Sequence, residues 1–358
     1  MPVIGNYEFK MDNEHLLGKG SFSYVYKGKC INNNNDVAVK IINLENMTVK
    51  ARSIINDEAE IMESIKYNPH PNIVECYDVL FENDTVYIIM EYCDSGNLGS
   101  IIKKPIKEEY VQFYFSQLAN GLKYLYDNNI IHRDIKPRNI LLTNSRRVLK
   151  IADFGFAKKT INNSLYETMC GSPMYMAPEI MGKQNYNKQT DLWSIGMILY
   201  EMLYGYHPYR SCKSLPEIKD AIGNNSLEIP PADNKNKDVS LECLNLLRKL
   251  LQKDVGNRIT WDDFFHHPWI NKYQYINIKT NKPNENYKQQ ICSKSLDSLV
   301  SKEDGSYGSP VSTGSGNLNK SNINIIHKFY DTFAFEETNV NKDGKLNDDM
   351  LFEFELKN

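Results

Sequence analysis

The nine residues Ile131-His132-Arg133-Asp134-Ile135-Lys136-Pro137-Arg138-Asn139, with Asp153-Phe154-Gly155 beginning fourteen residues after Asn139, constrain this 358-residue chain more than any other stretch. They gather two carboxylates, a carboxamide and an ammonium into a short span. The apolar runs Ile140-Leu141-Leu142 and Val148-Leu149-Lys150-Ile151 flank a polar Asn144-Ser145-Arg146-Arg147, the pattern of two short strands joined by a turn. Such a hairpin brings Asn139 and Asp153 close together, and paired oxygen ligands suit Mg²⁺ that also holds phosphate. Asp134 then faces the same cluster without ligating it, a place for a group that receives or orients a hydroxyl proton. Lys136 adds positive charge where a transferring phosphoryl group gathers negative charge.

Upstream, Leu16-Leu17-Gly18-Lys19-Gly20-Ser21-Phe22-Ser23-Tyr24-Val25-Tyr26 places Gly18 and Gly20 between apolar strand residues, where backbone amides can approach a phosphate closely. Alone, the pattern serves equally as a plain hairpin turn. Val37-Ala38-Val39-Lys40 follows as a strand with a single lysine at its end. Glu58, Ile61, Met62 and Ile65 then recur at i, i+3, i+4 and i+7, which puts a carboxylate at the head of an apolar helical face. An unpaired charge on such a face is expensive, so Glu58 is the expected partner of Lys40. Tyr87 to Cys93 is an apolar strand that breaks at Asp94-Ser95-Gly96. Val111, Tyr114, Phe115, Leu118, Leu122 and Leu125 form one helical stripe, read as core. The segment Thr190 to Gly205 is apolar nearly all round and predicts a buried helix. Leu241 to Leu251 predicts another.

Taken together, these motifs resemble the glycine-rich, catalytic and metal-binding loops of the eukaryotic protein kinases. The resemblance covers residues 9–270 and implies an α+β, bilobal protein-kinase fold, with a small β-rich lobe over 9–90 and a larger, mainly helical lobe over 94–270. It implies ATP and Mg²⁺ as cofactors and protein hydroxyls as acceptors. Carried over residue by residue, Leu17, Gly18, Lys19, Gly20, Ser21, Phe22, Ser23 and Tyr24 cover the phosphates, with Ser23 standing where the family has its third glycine. Val25, Ala38 and Leu141 sandwich the adenine, Met90 is the gatekeeper, and the backbone of Glu91 and Cys93 faces the adenine edge. Lys40 and Glu58 complete the ATP site, Asn139 and Asp153 hold the metal, and Asp134 and Lys136 are catalytic. Asp191 braces the catalytic-loop backbone, and Arg258 pairs with the glutamate of Ala177-Pro178-Glu179. Thr168, between Asp153 and Glu179, is the expected activation phosphosite, since Arg133 has no evident partner in the sequence.

Lys136 within His-Arg-Asp-Ile-Lys-Pro and Gly171-Ser172-Pro173 ahead of Tyr175 are similar to the serine/threonine branch. Ala152 to Ala157, Cys170 to Glu179, Glu91-Tyr92-Cys93 and Tyr7-Glu8-Phe9 resemble the Unc-51-like kinases. Those kinases usually continue into a long linker and a helical targeting domain, whereas 88 residues follow Ile270 here. At the two rim positions where arginine-preferring members place carboxylates, this chain has Asn97 and Arg138, so arginine-rich acceptors are expected to be poor. Phe156, directly after Asp-Phe-Gly, goes in the family with serine over threonine. A scaffold without chemistry is the alternative from another class, and it usually shows a lost catalytic lysine or aspartate, which this sequence retains.

A net charge of −3 carries no nucleic-acid footprint. Seven cysteines without a C-x-x-C pair fit reduced thiols rather than a disulfide framework or zinc site. No secretory signal, myristoylation site or eighteen-residue apolar run is visible, so a cytoplasmic protein is expected. Residues 271–320 read as a flexible linker and 321–358 as a small C-terminal segment of unknown role. Asn339 to Met350 matches part of a calcium loop but has Met350 where a bidentate carboxylate belongs. Asp343-Gly344 serves equally as a hairpin turn, so calcium regulation stays an alternative rather than the expectation.

Overall fold

The computed structural model describes residues 1–271 apart from 21, 160–170, 183–186, 225–226, 228 and 230–238. Ser21, Thr168 and the expectations for the tail lie outside the described residues.

The N-terminal part is one antiparallel sheet of seven strands: β1 (Val3–Ile4), β2 (Tyr7–Phe9), β3 (Leu16–Lys19), β4 (Ser23–Cys30), β5 (Asp36–Asn43), β6 (Cys76–Glu82) and β7 (Thr85–Glu91). They run in the order β1-β2-β4-β5-β7-β6, with β3 paired to β4. The sheet takes in residues ahead of the expected start at residue 9. Side chains alternate along β5, so Val37 and Val39 join Ile4, Tyr7, Phe9 and Ile89 in a small core on one face. Ile42 joins the main core on the other face, and Lys40 shares that side by the same period.

One long helix, α1 (Val49–Tyr67), packs on that second face, and Thr48 caps its start by accepting the Ala51 N–H at 3.2 Å. Its buried stripe includes Glu58, Ile61, Met62 and Ile65, the face expected from spacing. Each fully buried apolar side chain there contributes roughly 1.5–3 kcal/mol.

The rest is mainly helical: α2 (Leu98–Ile101), α3 (Glu108–Asp127), α4 (Pro178–Met181), α5 (Thr190–Tyr204), α6 (Leu215–Asn224), α7 (Leu241–Leu250) and α8 (Trp261–Phe265). Short strands β8 (Ile130–Ile131), β9 (Ile140–Thr143), β10 (Val148–Ile151) and β11 (Lys158–Lys159) lie between α3 and α4 in sequence. In α5 every residue but Glu201 is buried, because the helix is apolar nearly all round and packs as the centre of this part. It ends at Gly205, whose φ of 75° suits glycine, and a Cβ there would meet the Lys104 backbone at 2.6 Å. The predicted hairpin forms as β9 against β10, with Ile140 opposite Ile151, and this register sets Asn139 beside the segment entering Asp153. Among the described residues, no helix is long and apolar enough to cross a membrane.

Candidate active site

Lys40 emerges from β5 toward α1, and its ammonium donates to Glu58 Oε1 at 2.6 Å and to Asp153 Oδ1 at 3.1 Å. Burial works against the charge on Lys40, but Glu58 and Asp153 more than offset it, and its pKa lies above the ordinary lysine value. Desolvation would raise Asp153, but Lys40 outweighs it and holds the carboxyl below its usual range. The depressed Asp153 contributes stability above the unfolded carboxylate value of about 3.9, lost as pH falls through the folded one. The raised Lys40 contributes below about 10.4 and is lost only at higher pH, so this pairing is intact across the neutral range.

The catalytic-loop segment is held by a carboxylate from α5. Asp191 accepts the backbone N–H of His132 and of Arg133, both at 2.9 Å. Arg133 sits at φ 65°, a left-handed conformation that costs a non-glycine residue roughly 1–2 kcal/mol. The two Asp191 bonds over-determine it. His132 Nδ1 accepts the Asp134 N–H at 3.3 Å, leaving Nε2 to donate to the Ala152 carbonyl at 3.0 Å.

Asp134 is buried and both of its oxygens are engaged. Oδ2 accepts from Lys136 Nζ at 2.7 Å and from Asn139 Nδ2 at 3.0 Å. Oδ1 accepts the Ser172 N–H at 2.8 Å and the Ser172 hydroxyl at 3.0 Å. Lys136 also donates to Ser172 Oγ at 2.7 Å, closing a ring of charge-assisted bonds. Gly171 precedes this contact at φ 100°, and a Cβ there would lie 2.5 Å from the Arg133 carbonyl oxygen. Only glycine lets the segment come so close. The Asn139 carbonyl accepts the Ala152 N–H at 2.9 Å, so Asn139 and Asp153 stand on adjacent loops. Phe154 is buried with its ring 5.1 Å from that of His132.

The glycine-rich segment is the β3–β4 turn, with Gly18 opposite Val25 and Lys19 opposite Tyr24. The Gly20 N–H donates to the Ser23 carbonyl at 2.8 Å. Leu17, Phe22 and Tyr24 are exposed around it, while Val25 and Leu141 are half-buried and Ala38 is buried. Met90 is half-buried against the core at the end of β7. Glu91 begins the connection to the helical part, and Lys150 holds its Oε2 at 2.6 Å. Burial pushes the Cys93 thiol up to about 12, so it is a neutral, weakly reactive group. Among the described residues, the Cys93 N–H has no acceptor, which leaves a donor open at the strand end.

A family model for the protein kinase domain matches residues 11–270. The chain belongs to the protein kinase family. Serine/threonine-protein kinase atg1 of Dictyostelium discoideum is 41% identical over 281 residues, covering 76% of this chain and 40% of that protein. Serine/threonine-protein kinase ATG1b of Arabidopsis thaliana is 38% identical over 276 residues, 76% of this chain and 37% of that protein. Serine/threonine-protein kinase ULK1 of Homo sapiens is 37% identical over 279 residues, 75% of this chain and 26% of that protein. The domain is of the serine/threonine branch and Unc-51-like. It spans two fifths or less of the length of these three relatives.

Two features of the kinase site were not read from the sequence. Ser172 served only to choose the branch, yet its hydroxyl bridges Lys136 and Asp134. The signal was present in Gly171-Ser172-Pro173, but a pairing across 38 residues has no local pattern. The Glu91–Lys150 pair was hidden inside two apolar strands for the same reason. One expectation needs correction: Arg133 is not without a partner, because its Nε donates to the Phe156 carbonyl at 2.6 Å.

Proposed function

We propose that this kinase transfers the γ-phosphoryl group of ATP to serine or threonine hydroxyls of proteins. The observation that carries this reading is the buried Lys40–Glu58 pair aimed at Asp153, beside the Asp134–Ser172–Lys136 ring. Lys40 and the backbone amides around Gly18 and Gly20 hold phosphate oxygens, and Glu58 fixes Lys40 in place. The Cys93 N–H and the Glu91 backbone receive the adenine edge, between Val25, Ala38 and Leu141. The donor set suits a hard divalent cation: Asn139 commits its Nδ2 to Asp134, leaving Oδ1 without a donor among the described residues, and the Asp153 side chain is 46% exposed. Asn139 and Asp153 would hold Mg²⁺, which when bound neutralises phosphate charge. Asp134 orients the acceptor hydroxyl and takes its proton, and Lys136 balances charge developing on the transferred group.

Purified protein with Mg-ATP should label a serine substrate. Incorporation no greater than in an Asp134→Asn control would return the reading to a scaffold.

Ser172→Ala is expected to lower kcat about tenfold, the equivalent of one hydrogen bond to a charged group, while the Ser172 N–H keeps Asp134 partly positioned. Ser172→Thr should retain activity, because it restores the hydroxyl. Steady-state kinetics at saturating ATP checks both, and an alanine variant with wild-type kcat would assign positioning to the backbone alone.

Thr168 remains our candidate activation phosphosite. Arg133 immediately precedes the catalytic Asp134 in sequence and is partly exposed, and a phosphothreonine at 168 would accept charge-assisted bonds from its guanidinium and order the segment. Activity of phosphatase-treated protein should fall several-fold and recover on rephosphorylation. Thr168→Ala should match the treated form, and full activity in that variant would remove the assignment.

A further inference from the structure

Two consecutive side chains where β7 gives way to the connection are each held by a lysine, and the lysines come from different parts of the chain. Lys27 of β4 lies over the Tyr92 ring at 4.4 Å, with its ammonium 2.8 Å from Asp36 Oδ2. Lys150 of β10 reaches Glu91 Oε2 at 2.6 Å. Burial decides which of the two does the holding. The Lys27 and Asp36 side chains are 35% and 39% exposed, and a solvated pair restrains little. Those of Lys150 and Glu91 are 11% and 19% exposed, so water screens their attraction far less.

The buried pair closes a ring through the backbone. The Glu75 N–H donates to the same Glu91 Oε2 at 3.3 Å, and the Glu91 N–H donates back to the Glu75 carbonyl at 2.9 Å. Three residues before Glu75, the Asn72 carbonyl accepts the Ile151 N–H at 2.9 Å, and Asn72 Nδ2 donates to the Leu149 carbonyl at 2.9 Å. Lys150 lies between those two residues, opposite Leu141 of β9. Glu91 is thereby tied to the strand pair that carries one face of the adenine site. With its N–H engaged, the backbone group Glu91 offers a base is its carbonyl, and Cys93 offers its N–H two residues on. An acceptor followed by a donor matches adenine, whose N6 amino group donates and whose N1 accepts. Guanine presents the reverse, an O6 acceptor and an N1–H donor. It pairs only where the backbone slides until a donor meets O6, and the ring through Lys150 opposes that slide.

We propose that Lys150 is a positioning residue that sets the choice of ATP over GTP by holding the Glu91 backbone in one register against the base. The proposal rests on the kinase reading above and adds to it the residue that enforces base selection. Lys150 acts through Glu91 rather than on the nucleotide. A site built to hydrogen-bond one base rejects the base of reversed polarity by about a hundredfold or more, because donors and acceptors on both sides are left unpaired. A connection freed from Lys150 recovers part of that loss by moving, so removing the lysine should narrow the preference about tenfold. The effect lies in nucleotide binding and belongs to KM rather than kcat.

The test compares kcat/KM for Mg-ATP and Mg-GTP on one serine peptide, using the full chain as wild type, Lys150→Arg, Lys150→Met, Glu91→Gln and the double variant Lys150→Met with Glu91→Gln. Wild type should favour ATP by about a hundredfold or more, and Lys150→Arg should keep most of that preference because it keeps the charge. Lys150→Met and Glu91→Gln should each narrow the ratio about tenfold, mainly through a higher KM for ATP, and the double variant should narrow it no further. The ratio separates positioning from mere folding, since a variant that only loses folded protein loses both nucleotides in equal proportion. Lys150→Met strands a buried carboxylate; where it does not fold, Glu91→Gln, which keeps the shape and removes the charge, decides. A wild-type ratio in these variants, or effects that add in the double variant, would overturn the proposal. Equal use of ATP and GTP by wild type would do the same, because the connection would then read no base. Transfer from neither nucleotide would instead count against the kinase reading.

Discussion

Asp134→Asn is expected to remain folded and to transfer phosphate about a thousandfold more slowly. A carboxamide can keep a bond to Lys136 or to Ser172, but it cannot accept the hydroxyl proton, and general-base removal costs on the order of 10²–10⁴ in rate. Lys40→Met should lose as much activity for a different reason and also lose stability. It removes the phosphate-holding ammonium and leaves Glu58, 3% exposed, without its cation. Stranding one member of a buried pair costs about 3–5 kcal/mol, which in a domain of this size lowers the melting temperature by roughly ten degrees. The two variants therefore separate chemistry from architecture. Turnover above a tenth of wild type in Asp134→Asn would take the proton-accepting role away from Asp134, and an unchanged melting temperature in Lys40→Met would show that Glu58 is not held by charge.

Breaking the pair between Arg258 and Glu179 should unfold the helical part more readily than any exposed substitution. Arg258 follows α7 in sequence, and its guanidinium grips Glu179 of α4 in a two-pronged contact, Nη1 to Oε1 at 2.7 Å and Nη2 to Oε2 at 2.9 Å. Both side chains are almost wholly inaccessible, at 0% and 4%. The same guanidinium donates to the Gln189 and Gln252 carbonyls and lies 5.4 Å from the Trp193 ring. Arg258→Met leaves a buried carboxylate without its cation and takes a donor from two part-buried carbonyls, at a cost of about 3–5 kcal/mol. Activity should fall with stability, because Glu179 anchors the segment whose earlier residues set Ser172 and Tyr175 against Asp134 and Glu201. Adding Glu179→Leu to Arg258→Met should recover part of the loss by removing the stranded charge. Urea unfolding of the single and double variants measures both terms. A single variant within about 1 kcal/mol of wild type would show that water reaches this pair.

Much of the site was legible because its parts obey local rules. The spacing of Glu58, Ile61, Met62 and Ile65 named the buried face of α1 before any partner was known, and that face is buried. The hairpin of β9 and β10 followed from two apolar runs and a polar turn, with Asn139 and Asp153 at its ends. The all-apolar stretch from Thr190 announced the buried α5. Periodicity reports which side chains leave water, and short motifs report which chemistry is gathered.

Neither reports which oxygen a cation takes. Lys136, Ser172 and Asp134 meet across 36 and 38 residues, and Glu91 meets Lys150 across two strands that each read as ordinary core. Arg133 reads in the sequence as a cation with no partner, yet its Nε donates to the Phe156 carbonyl. The sequence by itself determined the chemical inventory and the buried faces, since both depend on residue type and on spacing within one element. The tertiary structure alone decided the pairings, because a hydrogen bond is set by distances of about 3 Å between elements whose separation along the chain carries no record of where they meet.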